Sequence, residues 1–140
     1  MADFDDVRRL AGSEQGLCVV ATTRTDGSVH GSVVNAGPMQ HPITGAEVVA
    51  FVVRSDARKL QHFVRSGRAS LTFRRGWRWV GVEGPVDVIG PEGAETPGLL
   101  QEVFRAAGGD HDDWDEFDRV MAAERRVGVF LHPERIFGQP

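Results

Sequence analysis

The chain has 140 residues, with sixteen basic and twenty acidic side chains and a formal net charge of −4. That length gives one domain, residues 1–140, with a sizeable core; ordinary apolar and charged fractions exclude a disordered chain, and the negative balance argues against general nucleic-acid binding. The lone Cys18 excludes an internal disulfide, no apolar run reaches the about 20 residues of a membrane span, and the acidic amphipathic start MADFDDVRRLAG is unlike a signal peptide, so a cytoplasmic protein with no membrane partner is expected.

Residues 3–11 read as a short helix, with Phe4, Val7, Leu10 and Ala11 on one side. Residues 17–23 are a buried strand. Asp26-Gly27 makes a tight hairpin turn, and residues 29–36 return antiparallel until Gly37-Pro38. After a loop at 40–45, a third strand covers 47–54, and a helix covers about 56–66 with Ser55 or Asp56 as its N-cap and Gly67 as its C-cap. Residues 68–75 form a fourth strand and 77–89 a long fifth, with a bulge or bend at Gly84-Pro85. Two helices follow. One carries Leu99, Leu100, Val103 and Phe104 and has its start interrupted by Pro97-Gly98; the other begins near Asp110, with acids in its first turn and Arg125-Arg126 in its last. Residues 127–132 are the last strand, and 133–138 close the chain. The order points to a mostly β architecture: a small antiparallel barrel of five or six strands with helices packed outside.

Charge is concentrated in one place. Between positions 54 and 78 lie eight of the sixteen basic residues and a single acid, Asp56, a local charge of +7, while the rest of the chain carries −11. Arg58 and Lys59, the latter the chain's only lysine, fall in the first turn of the 56–66 helix, where cations oppose the helix dipole. An anion bound at the free N–H groups of that turn accounts for the placement. The plain alternative is a solvated basic helix end.

Trp77 and Trp79 share one face of a strand, with Arg78 on the other. Two readings stay open for them: a wall for a flat aromatic ligand, or packing in the core or a subunit interface. Asn35 is either a hydrogen-bonding partner for a ring edge or a turn-capping residue. No metal is expected: the acidic stretch from His111 to Glu116 matches no calcium or zinc spacing, and His30, His41, His62, His111 and His132 are scattered without pairing. No nucleophile-elbow serine or glycine-rich phosphate loop is present, which disfavours a hydrolase.

The stretches LCVVATTRTDGSVHGSVV, RSDARKLQHFVRSGRASLTF and GWRWVGVEGPVDVI resemble, in order, the opening hairpin, the strand–helix–strand and the long bent strand of the pyridoxamine 5'-phosphate oxidase-like superfamily of flavin and deazaflavin oxidoreductases. The tail DHDDWDEFDRVMAAERRVGVFLHPERIFG is similar to the branch that binds coenzyme F420. The resemblance implies a six-stranded antiparallel split β-barrel with peripheral helices, of the FMN-binding split barrel type, and a homodimer whose cofactor lies at the subunit interface. It implies that Arg58 and Lys59 hold the cofactor phosphate and that Val52, Val53, Arg54 and Ser55 run along its ring and tail. Asn35, Trp77 and Trp79 reach the same groove, the tryptophans commonly from the partner. Ser32 and Asn35 stand where flavin-using relatives often carry arginine and lysine, which favours F420 over FMN; the F420 branch often has a further basic residue where Ala57 stands. The expectation is an F420H2-dependent oxidoreductase passing a hydride to an unsaturated small molecule, with no side chain assigned as catalytic acid or base and Arg126 a candidate for stabilising developing negative charge. The alternatives are the same fold using FMN and a non-catalytic cofactor- or tetrapyrrole-binding protein.

Overall fold

In the first strand Cys18, Val20 and Thr22 are buried while Leu17, Val19 and Thr23 are exposed, the two-residue period of a sheet with one face in a core. A computed structural model, describing residues 1–140, extends that pattern into a closed barrel. Its strands are β1 (Leu17–Thr23), β2 (Val29–Gln40), β3 (Glu47–Arg54), β4 (Arg68–Arg75), β5 (Arg78–Ile89) and β6 (Arg126–Leu131), with a seventh, β7 (Arg135–Gln139), added beside β5. All pairings are antiparallel, and the contact of β4 with both β1 and β5 closes the ring in the order β1-β2-β3-β6-β5-β4. The helices are α1 (Phe4–Ser13), α2 (Arg58–Ser66), α3 (Thr96–Ala106) and α4 (Trp114–Ala123).

Two long strands change partners midway, and that exchange splits the barrel. Residues 29–35 of β2 pair with β1, and residues 36–40 pair with β3. Having a neighbour on only one side there, β2 continues through Gly37-Pro38, where the sequence reading ended it, because a missing N–H is tolerated on an unpaired side. In β5 the switch falls at Gly84-Pro85, as the sequence reading placed the bend: residues 78–85 pair with β4 and 86–89 with β6. A Cβ on Gly84 would lie 2.0 Å from the His132 carbonyl oxygen, so the crossing requires glycine.

Alternation along β3 divides the packing into two layers. Val49, Phe51 and Val53 point into the barrel, where they join Phe63 of α2, Val7 and Leu10 of α1, and Phe73. Fully burying such side chains is worth about 1.5–3 kcal/mol each in transfer free energy. Val48 and Ala50 point outward and, with Phe130, receive Leu99 and Val103 of α3. Gly37 lets this second layer close up: a Cβ there would sit 1.9 Å from the Ala106 carbonyl oxygen. The C-terminal end of α3 therefore rests on bare β2 backbone.

Several boundaries differ from the sequence reading for local reasons. The N-cap of α2 is Ala57, with no side-chain hydrogen bond, because the Asp56 carboxylate is engaged by Arg54 (Nε–Oδ1 3.1 Å). Pro97 lies within the first turn of α3 rather than interrupting it, a place where its missing N–H costs nothing. α4 starts at Trp114, capped by Asp113, whose carboxylate accepts the Glu116 N–H at 3.1 Å. Arg125 and Arg126 are not in its last turn; Arg125 has a φ of 49° and Arg126 opens β6. β7 lies beyond the strand that the sequence reading took as the last, and it is a strand because β5 supplies its ladder from Trp79 to Glu83.

Candidate functional site

Beyond the C-terminal end of α3 the outer face of the sheet is uncovered, and a cleft of about 490 Å³ opens there. Its floor is Val33 and Asn35 of β2 with Val52 of β3. Its opposite wall is Phe104 of α3 with Phe117 and Met121 of α4, joined by the Ala107-Gly108-Gly109 turn. The wall is held in place by aromatic contacts: Phe104 and Phe117 have centroids 5.0 Å apart, Trp114 and Phe117 5.2 Å, and the Arg105 guanidinium lies 4.3 Å over the Trp114 ring. Gln101 adds a polar tie, donating from Nε2 to both carboxylate oxygens of Asp118 at 2.8 and 3.0 Å.

One end of this largely apolar cleft is cationic, with Lys59 and Arg126 in its lining. Arg126 stands directly opposite Arg54 in the β3–β6 register. Like charges so placed repel, and each is offset by its own carboxylate: Arg54 by Asp56, and Arg126 by Glu124 at 2.7 Å. Lys59 has no such partner. Its Nζ donates to Ser32 Oγ at 3.3 Å and forms no salt bridge. Desolvation, and then the nearby Arg126 charge, hold its pKa below the ordinary lysine value. A partly buried ammonium beside a guanidinium, at the uncapped start of a helix, is a place prepared for an anion.

The structure brings Asn35, Val52 and Lys59 together in this one cleft. Asn35 Nδ2 donates to the Gln15 carbonyl at 2.9 Å, which leaves its side-chain oxygen as a free acceptor. Arg54, Ser55 and Arg58 lie along the chain leading to Lys59. Arg54 is engaged with Asp56, the Ser55 N–H is bonded to the Arg125 carbonyl at 3.1 Å, and Arg58 is exposed. The Val53 side chain is in the barrel core, so only its backbone faces its neighbours on the sheet. Trp77 and Trp79 do not line the cleft of their own copy. Trp77 is at the β4–β5 turn, 96% exposed, and Trp79 packs edge-on against Phe137 with centroids 5.8 Å apart.

Sequence reasoning did not single out Gln15, Phe104, Phe117 or Met121 as cleft residues. The last three were visible only as helical apolar stripes, a signal identical to that of core packing. It also left the histidines scattered, whereas the fold gathers His41, Asp87 and His132 at a second place remote from the cleft.

Residues 6–139 match the pyridoxamine 5'-phosphate oxidase family. Among solved structures, the conserved hypothetical protein Rv2991 from Mycobacterium tuberculosis superposes with a TM-score of 0.74 at 20% identity, covering 99% of this chain and 85% of that one. A pyridoxamine 5'-phosphate oxidase-related, FMN binding protein from Nostoc punctiforme gives 0.64 at 11% identity, with 95% and 79% covered. An F420 reductase gives 0.61 at 17% identity, with 89% and 91% covered. At these identities the superpositions establish a shared fold. The family match spans every strand and helix except the first two residues of α1, and on that ground the chain belongs to the pyridoxamine 5'-phosphate oxidase family.

Proposed function

We propose that the cleft binds coenzyme F420 and that the protein is an F420H2-dependent oxidoreductase acting on an unsaturated small molecule. The observation that carries this reading is Lys59, a partly desolvated ammonium with a hydroxyl but no carboxylate beside it. An anionic cofactor supplies the missing charge, and α2 adds its free first-turn N–H groups and dipole. Ser32 offers that anion a hydroxyl rather than the guanidinium that flavin-using relatives often carry, which favours F420.

When bound, the reduced deazaflavin supplies a hydride for an electron-poor carbon. The chain's own part is to bind, orient and exclude water. Lys59 and Arg58 hold the phosphate, and Val33 and Val52 give the ring a flat apolar floor. Asn35, fixed through Gln15, offers an acceptor to a ring N–H, while Phe104, Phe117 and Met121 keep water from the opposite side. Arg126, partly offset by Glu124, is the candidate for stabilising negative charge that develops on a reacting molecule.

A second copy belongs to this proposal. Leu17, Val19, Val29 and Val33 on the outer face of the β1–β2 hairpin are 47–64% exposed, and Val19 and Val33 are directly paired. Val33 is also part of the cleft floor, so a homodimer packed on this face closes the open side and allows Trp77 or Trp79 of one subunit to approach the groove of the other. No helix is long and apolar enough to cross a membrane.

FMN is the second reading, supported by the FMN binding relative. Fluorescence titration of the purified protein with F420, FMN and haem decides among them. The expected result is saturable F420 binding, weakened about tenfold or more by Lys59→Ala, since charge-assisted contacts contribute about 1.5–3 kcal/mol. Tight FMN binding with none for F420 reverses the order, and unchanged F420 affinity in the variant removes the site assignment. Cofactor binding without oxidation of F420H2 by any acceptor in a broad panel makes the protein a carrier.

A further inference from the structure

Three metal-ligating side chains from separate parts of the chain converge at the end of the barrel away from the cleft. His41 follows β2, Asp87 lies on β5 and His132 follows β6. His41 Nε2 is 2.9 Å from one carboxylate oxygen of Asp87, and His132 Nε2 is 2.6 Å from the other. One donor atom from each group lies within 4.8 Å of the other two. The cluster is anchored from below. His41 is buried and packs edge-on against Phe130 at 5.1 Å, and the His132 N–H donates to the Pro85 carbonyl at 2.9 Å, over the bend in β5. The side chains of Asp87 and His132 are 42% and 33% exposed, which gives an ion a way in.

We propose that His41, Asp87 and His132 form a binding site for a divalent transition metal ion of the zinc class. Two imidazoles and one carboxylate suit such ions, and the open side leaves a fourth position for water. Metal–ligand distances of about 2.0–2.2 Å put donors roughly 3.3 Å apart around a tetrahedral ion, so the two His–Asp contacts open by about half an ångström while the donor set, now within 4.8 Å, draws together around the ion. His132 Nδ1 has no partner in the chain and is free to carry the ring proton when Nε2 ligates. His41 is the ligand that must change. Its Nδ1 accepts the N–H groups of Ile43 and Thr44 at 3.2 and 3.3 Å, which places its ring proton on Nε2. A metal at Nε2 transfers that proton to Nδ1, and the two amides, held only at the long end of hydrogen-bond range, turn away. The ion thus clasps the β2–β3 loop to β5 and β6. The start of β3 is about 17 Å along the strand from Val52, so the clasp does not touch the cofactor cleft.

The test is titration of the metal-free full chain with Zn²⁺ alone, followed by amide NMR, and with Co²⁺ followed by visible absorption. The expected result is one saturating equivalent, displacement of the Ile43 and Thr44 amide resonances, and Co²⁺ ligand-field bands. Asp87→Ala and His132→Ala should each weaken binding by more than about 100-fold, beyond the roughly 10–100-fold effect of disturbing an outer-shell partner. Should either variant fail to fold, His132→Gln keeps a donor to Asp87 while removing the imidazole, and it should lose the metal with the native spectrum intact. Absence of saturable binding, binding indifferent to these variants, or Ile43 and Thr44 amides that stay in place would each overturn the site and leave only a carboxylate bridging two imidazole N–H groups. Because no cofactor is present, failure here leaves the cleft assignment standing.

Discussion

Arg54 and Arg126 face each other across the β3–β6 ladder, and each is neutralised by a different carboxylate, Asp56 and Glu124. Their charges are thereby largely spent within the protein. Lys59, beside them, keeps the one cation at the cleft with no acid to offset it.

Lys59→Met should weaken anionic cofactor binding about tenfold or more without lowering the melting temperature of the cofactor-free protein. The sign follows from its depressed pKa. The unfolded chain holds this proton to higher pH than the folded one, so the charged lysine costs stability below the folded pKa, and stability recovers as pH rises toward the unfolded value. Cofactor affinity should fall over the same window, below the pH at which an ordinary lysine discharges. Thermal unfolding and cofactor titration from pH 7 to 10.5 check both. A melting temperature that drops in Lys59→Met at pH 7 would contradict the desolvation argument.

Glu124→Gln removes the carboxylate that shields Arg126 from Arg54. The cleft then gains a positive charge, and two arginines face each other with one acid between them. Tighter but more salt-sensitive anion binding is expected, with a stability loss of about 0.5–1 kcal/mol. Denaturant midpoints and titrations at two ionic strengths measure the two effects.

Gly37→Ala puts a methyl group against the Ala106 backbone, which no side-chain rotation relieves. A loss of about 1–3 kcal/mol is expected from overpacking, with the end of α3 lifted from β2 and the cleft wall displaced. Urea unfolding and cofactor affinity should worsen together. A neutral result would mean that α3 does not rest where described.

The tryptophans should separate cleanly. Trp79→Ala removes the packing partner of Phe137 and should destabilise the fold, whereas Trp77→Ala should leave the monomer's stability unchanged. If a second copy closes the cleft, Trp77→Ala instead weakens dimerisation or cofactor binding, seen by sedimentation and by titration.

Cys18 is buried, and burial pushes its thiol pKa up to about 12. At pH 8 its alkylation should be on the order of a thousandfold slower than that of a free cysteine, becoming ordinary only after unfolding. Rapid labelling of the native protein would place β1 outside the core.

The sequence alone was enough for most of the barrel strands, though not for the second half of β2, and for the cationic window, because these are written locally. Period-two burial and Asp26-Gly27 define the first hairpin, 47–54 and 68–75 were read to the residue, and the charge around Lys59 needs no fold to be counted. β7 was not legible, since a five-residue edge strand exists only through the neighbour that pairs with it. Nor was the choice of cap for α2, where Arg54 draws the Asp56 carboxylate away from the helix that follows it. Tertiary structure alone decided which apolar stripe lines a cleft and which fills a core. Phe104, Phe117 and Phe63 follow the same helical spacing, and only the resting of α3 on Gly37 leaves a space beside the first two. The meeting of His41, Asp87 and His132 is of the same kind: residues 45 and 46 positions apart become neighbours because antiparallel strands return their ends to one rim, a distance no reading of spacing along the chain contains.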